Sequence, residues 1–187
     1  MRFRAFISAD IVPNEALGSL LRELAMSRAD LKVVRPELLH ITLKFLGDTD
    51  EALVEEIGSG IEKATEGVGP FTMRLVGMGA FPSMSNIRVV WVGIEDGNAL
   101  GQIASRLDTV MAPLGFERDK RGFKPHLTIA RARSERNIAK VQEIIRANAA
   151  TEYGEYSVDR ILLKRSVLCP EGPTYSVVRE VLLSKGA

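Results

Sequence analysis

Leu38-Leu39-His40-Ile41-Thr42-Leu43-Lys44-Phe45-Leu46 and Phe123-Lys124-Pro125-His126-Leu127-Thr128-Ile129-Ala130 are the two stretches that decide how this chain folds and where its chemistry lies. Both are rich in β-branched and apolar residues. The first is closed by Gly47 and the second is entered through Pro125, so each predicts a strand bounded by turn residues. Successive strand side chains point to opposite faces. His40 and Thr42 therefore share one face while Ile41, Leu43 and Phe45 share the other, and the same parity groups His126 with Thr128 against Leu127 and Ile129. Polar pairs of this kind face a cleft, and the apolar residues face a core. The chain has no other histidine in its 187 residues, so the repeated His-x-Thr pattern predicts a symmetric site.

Imidazole has an unperturbed pKa of roughly 6.5, so it serves as proton acceptor and proton donor near neutral pH. An imidazole beside a hydroxyl on a rigid strand offers proton transfer and a hydrogen bond to the same anionic group, which suits a phosphoryl centre. The alternative is a pair of structural histidines with β-favouring threonines; the repetition argues for the site. Lys44 shares the parity of His40 and Thr42, yet a lysine near a strand end is ordinarily solvated. Arg118, Lys120, Arg121 and Lys124 form a local basic cluster before the second motif, diluted by Glu117 and Asp119.

Composition narrows the class. The length suffices for one domain, or two intimate lobes, with a substantial core. Cys169 is the single cysteine, which excludes an intramolecular disulfide and fits a reducing cytoplasm. Residues 1–10 are too short and interrupted for a signal segment, and no run of about 18 apolar residues is present to span a membrane. The net charge of +1 offers no bulk field for nucleic acid. Two histidines and one cysteine show no metal-ligand spacing, and Gly77-Met78-Gly79 lacks the third glycine of a dinucleotide loop, so no metal and no cofactor is expected.

Strand and helix patterns alternate along two similar halves. A strand is predicted over 2–11, a helix over 14–26 with Leu17, Leu20, Leu21 and Leu24 on one face, and a helix over 51–65 after Asp48-Thr49-Asp50. Strands over 71–78 and 87–95 flank a polar loop, Phe81 to Asn86. Helices over 98–113 and 135–148 enclose the second motif, and strands over 156–168 and 174–183 meet at a turn, Pro170-Glu171-Gly172-Pro173. The order predicts an α+β fold of antiparallel sheets with helices outside them.

These motifs resemble the two-histidine phosphoesterases, and within them the RNA 2′,3′-cyclic phosphodiesterases, also called 2′-5′ RNA ligases. The resemblance rests on Arg4-Ala5-Phe6-Ile7, Leu39 to Gly47, Gly79-Ala80-Phe81-Pro82, Arg88 to Gly93, and Phe123 to Arg131. It implies one domain over residues 1–187, made of two pseudo-symmetric lobes with the active-site cleft between them. It also implies metal-independent opening of a 2′,3′-cyclic phosphate to a 2′-phosphate, with 2′-5′ ligation as a related reaction. By similarity His40 is the proton donor, His126 the proton acceptor, and Thr42, Thr128 and Arg131 hold the phosphate. Arg131 has the opposite parity to His126, so it reaches the cleft only where the strand ends or bulges; otherwise it forms a surface ion pair. Phe81 stands as a substrate-stacking candidate, with a core role as its alternative. The expected partner is RNA ending in a cyclic phosphate, tRNA fragments included, for a cytoplasmic monomer with no membrane contact. Another cyclic or 2′-5′ phosphodiester, or noncatalytic binding of RNA ends, are the competing readings.

Overall fold

The Asn14 side chain accepts a hydrogen bond from the Leu17 N–H at 3.0 Å, which caps the first helix and turns Leu17, Leu20, Leu21 and Leu24 inward, as their spacing demands. The structure, a computed structural model, describes residues 1–170 and 172–185. In chain order its elements are β1 (Arg2–Asp10), α1 (Glu15–Met26), β2 (Leu31–Val33), β3 (His40–Asp50), α2 (Val54–Thr65), β4 (Phe71–Ser83), β5 (Asn86–Glu95), α3 (Asn98–Met111), β6 (His126–Ala132), α4 (Ile138–Ala147), β7 (Glu152–Val158), β8 (Arg160–Cys169) and β9 (Gly172–Leu182). The fold is α+β.

Two antiparallel sheets carry the molecule, ordered β3-β1-β8-β9 and β2-β6-β5-β4-β7. Reading outward from each motif strand, β3-β1-β8-β9 matches β6-β5-β4-β7, with β2 added beyond β6. The halves are interleaved rather than separate in sequence. β4, from the first half, pairs with β5 of the second sheet, while β8, from the second half, pairs with β1 of the first. Helices α2 and α3 pack together and against β9 and β3, and α1 and α4 lie against β2, β7 and β4. One apolar core joins both sheets, with Ile7 and Ile41 from the first and Val92 and Leu127 from the second.

Several boundaries differ from the sequence reading. The loop expected over Phe81–Asn86 is a short turn at Met84-Ser85, because Phe81, Pro82 and Ser83 continue β4 opposite Val89, Ile87 and Asn86. The segment read as one strand over 156–168 is divided at Asp159 into β7 and β8, which join different sheets. Of the turn expected at Pro170–Pro173, Glu171 lies outside the described residues, and Gly172 and Pro173 belong to β9.

Each motif strand contains a bulge directly after its threonine. Ser8 pairs with Thr42 and Ile7 with Lys44, leaving Leu43 unopposed. Trp91 pairs with Thr128 and Val90 with Ala130, leaving Ile129 unopposed. An extra residue reverses the parity of everything beyond it. Two readings change accordingly. Phe45 leaves the core face and is 69 % exposed, whereas Lys44, expected on the cleft face or in solvent, is turned toward the helices and is only 6 % exposed. Its ammonium is held by the Asp108 carboxylate of α3 and donates to the Glu117 carbonyl at 2.8 Å. The other Asp108 oxygen accepts the Asp119 N–H at 3.0 Å, so one carboxylate ties the buried lysine to the loop that leads into β6.

Asp108→Asn leaves the Lys44 ammonium buried without its counter-charge, which should cost about 3 kcal/mol. Lys44→Met should cost less, because the freed carboxylate retains access to water. Urea unfolding midpoints at constant m-value check the order of the two variants.

Candidate active site

His40 begins β3 one residue after a short 3-10 turn over Pro36–Leu38, and His126 begins β6 immediately after Pro125. In both motifs the imidazole folds back onto its own chain. His40 Nδ1 lies 2.7 Å from the Leu38 carbonyl and His126 Nδ1 lies 2.7 Å from the Lys124 carbonyl, each two residues upstream. A carbonyl only accepts, so Nδ1 carries the proton and donates in both cases. The same local bond thus sets the same tautomer twice, leaving Nε2 of each ring for chemistry. Thr42 and Thr128 lie two residues further along the same faces, partly exposed, and neither hydroxyl has a hydrogen-bond partner among the described residues.

Aromatic rings fix the planes of the two imidazoles. Tyr175 meets His40 edge-on, with centroids 5.2 Å apart at 90°, and Phe6 lies 4.9 Å away at a tilt. Phe81 meets His126 edge-on at 5.0 Å and 88°, and itself rests on Trp91 at 5.3 Å. Edge-to-face contacts are the favoured geometry for ring quadrupoles. Phe81 therefore borders the site, held between an indole and the second histidine. The Trp91 indole crosses Gly79 so closely that a Cβ there would stand 2.2 Å from a ring carbon, which reserves the position for glycine.

The bulge at Ile129 decides the position of Arg131. It restores Arg131 to the face of His126 and Thr128, exposed and without an ion-pair partner among the described residues. Its charge is felt by His40 and by Tyr175, both on the other sheet. Strands β3 and β6 are in contact where the two sheets meet, and the Arg131 charge reaches His40 across that junction. The residues Arg118, Lys120, Arg121 and Lys124 are exposed in the loop that enters β6.

The symmetry is broken beside the histidines. Asp10 stands directly across from His40, whereas Gly93 stands across from His126. Asp10 binds the ammonium of Lys164, a β8 residue only 6 % exposed whose Nζ lies 6.0 Å from the centre of the Tyr175 ring. Burial lowers the His40 pKa below its ordinary value; the Leu38 carbonyl and Asp10 oppose this, while the charges of Lys164 and Arg131 reinforce it. Burial raises the Tyr175 phenol. As site residues, Phe6, Asp10, Trp91, Lys164 and Tyr175 escaped the sequence reading. The one available signal was Lys164 itself, a charge ending the apolar run Ile161-Leu162-Leu163. No cluster of three or more histidine, cysteine or acidic side chains placed to hold a metal ion occurs among the described residues.

The sequence profile of the 2′-5′ RNA ligase superfamily matches residues 13–166, a span that includes both His-x-Thr strands. The chain belongs to that superfamily. Among its relatives, the protein named RNA 2′,3′-cyclic phosphodiesterase from Methanothermobacter thermautotrophicus is 35 % identical over 178 residues, covering 94 % of this chain and 96 % of its own. The protein of the same name from Archaeoglobus fulgidus is 36 % identical over 178 residues, covering 94 % and 98 %. Among solved structures, TT0787 of Thermus thermophilus superposes with a TM-score of 0.76 at 28 % identity, covering 96 % of this chain and 97 % of that one. Escherichia coli LigT complexed with 3′-AMP, at 23 % identity and a TM-score of 0.72 over 98 % of each chain, shares the fold. The superfamily's α+β architecture is thus the one found here.

The lowered His40 pKa has a consequence for stability. The unfolded chain takes up a proton at its ordinary value of about 6.5, and the folded chain only below that. The contribution is therefore complete above pH 6.5 and is lost as the pH falls toward the folded-state value. His40→Gln should flatten this decline in thermal melts recorded in phosphate-free buffer. Proton NMR, with only two histidine rings to assign, should show His40 titrating below its ordinary value.

Proposed function

We propose that this chain is an RNA 2′,3′-cyclic phosphodiesterase that hydrolyses a terminal cyclic phosphate to a 2′-phosphomonoester. The observation that carries the proposal is the pair of imidazoles held in the same tautomer by equivalent backbone bonds, each beside an uncommitted threonine hydroxyl. The near-full-length relatives named for this activity support the same reading. It takes residues 1–187 as one domain of two lobes, consistent with the core that joins both sheets.

In-line opening of a cyclic diester needs a base on one side of phosphorus and an acid on the other. In this reading neutral His126 accepts a proton from water at Nε2 as the water oxygen bonds to phosphorus. The bond from phosphorus to O3′ breaks, and the His40 imidazolium delivers its Nε2 proton to O3′. Proton exchange with solvent then resets the pair. A buried imidazolium with a lowered pKa is a strong donor to a departing alkoxide, and the anionic phosphate between the rings favours its protonated form. Thr42, Thr128 and Arg131 hold the non-bridging oxygens, and Phe81 borders the bound phosphate through His126. The cyclic ester carries the energy for reaction, so no cofactor is required. A 5′ hydroxyl in place of water gives 2′-5′ ligation by the same proton transfers.

The substrate is RNA with a cyclic phosphate end, with tRNA fragments as candidates, acted on by a cytoplasmic monomer. No helix among the described residues is long and apolar enough to cross a membrane.

His40→Ala and His126→Ala should each lower turnover of cyclic-phosphate RNA by at least about 10²- to 10⁴-fold while circular dichroism stays native. Thr42→Ala and Thr128→Ala should be milder, since proton transfer survives. The wild-type rate should follow a bell-shaped pH profile and persist in chelator, and phosphorus NMR should show a 2′-phosphate product. Near-native turnover by folded His40→Ala would eliminate the two-histidine mechanism; binding of RNA ends without any turnover by the wild type would make the chain a binder.

A further inference from the structure

The two bulges turn different side chains to the cleft. Counting from each histidine, Thr42 corresponds to Thr128, the bulged Leu43 to Ile129, and Phe45 to Arg131. One half thus presents a cation at this position and the other an aromatic ring. Phe45 stands opposite Phe6, 6.5 Å from its ring, and Phe6 also touches His40, so Phe45 shares the face of the first motif. Phe6 beneath is 4 % exposed, whereas Phe45 keeps 69 % of its surface open. Phe45 also lines a groove of about 560 Å³ that runs from it along the far end of β3 to the segment after α3, where Leu114 and Phe116 complete its apolar wall.

The groove's charges specify what it accepts. Asp48, Asp50 and Glu117 line it, and its arginine, Arg2, is bound to Asp48 at 2.6 Å. A second phosphate would meet carboxylates there. A neutral aromatic group would meet an open phenyl face, apolar walls and hydrogen-bond acceptors at the rim. Stacking on an aromatic side chain is how proteins hold single-stranded bases without demanding one sequence.

We propose that Phe45 and this groove form a nucleobase subsite, in which the base of the terminal nucleotide stacks on the Phe45 ring while its phosphate lies between the histidines. The proposal rests on the phosphodiesterase reading for the position of the phosphate. It divides recognition between the halves: Arg131 takes charge from the second sheet and Phe45 takes the base from the first. A mononucleotide then spans both, and inorganic phosphate uses only the motifs.

Calorimetric titration of adenosine 2′-monophosphate and of inorganic phosphate into wild type, Phe45→Ala and Phe45→Trp tests it directly. Stacking on this ring predicts that Phe45→Ala loses about 5- to 150-fold in nucleotide affinity with phosphate affinity unchanged. Phe45→Trp should keep the nucleotide affinity, and its added indole fluorescence should be quenched by adenosine 2′-monophosphate and not by phosphate. Equal nucleotide affinity in wild type and Phe45→Ala would overturn the subsite, as would a wild type that binds nucleotide no better than phosphate. Because these readouts are of binding, they stand apart from turnover: a wild type that binds and stacks the nucleotide but does not open cyclic-phosphate RNA would refute the phosphodiesterase reading and leave the subsite in place.

Discussion

Strand side chains alternate without exception in a regular ladder, so a strand that sends His-x-Thr to a cleft would send every following second residue there as well. In both motif strands one unopposed residue, Leu43 or Ile129, ends that obligation. The lysine that parity would have aimed at the cleft is instead buried beneath the sheet with Asp108, and the arginine that parity would have aimed away is brought to the histidines. The composition of the cleft depends on these two insertions as much as on the motifs themselves.

Equivalent backbone does not make the two imidazoles equivalent. Both rings are set by a bond from Nδ1 to a carbonyl two residues upstream, and both take an aromatic edge. Across the ladder, however, one faces a carboxylate neutralised by a buried lysine and the other faces a glycine. In that ion pair the lysine is buried while Asp10 remains exposed. On His40 its two charges act in opposite senses, Lys164 lowering and Asp10 raising the proton affinity, while burial has the largest effect.

Local features were legible in the sequence because local rules govern them. The 3.6-residue spacing in α1 and its Asn14 cap, the parity of His40 with Thr42, and the turn residues that bound both motif strands all act within a few positions. Features that depend on a partner strand were not legible. A bulge exists only relative to a neighbour's register, so neither the burial of Lys44 nor the exposure of Phe45 follows from residues 38–46 alone. The Asp10 to Lys164 contact closes across 154 positions and requires β8 to lie beside β1, a pairing that no local pattern announces. Arg131 lay between these cases: its parity defined the condition for reaching the cleft, and only the register of β5 against β6 met it.

The reciprocal placement of β4 and β8 has a consequence for how the chain comes into being. β1 is an interior strand of its sheet, flanked by β3 and β8, yet six strands, β2 to β7, are made between β1 and β8. Throughout synthesis the β8-facing edge of β1 must wait, with its backbone donors and acceptors open to any extended segment nearby. The second sheet has no such delay at its centre, because β4, β5 and β6 follow one another in the chain. The nascent protein is thus expected to assemble its second sheet first and to leave the sheet that carries His40 unfinished until β8 has emerged.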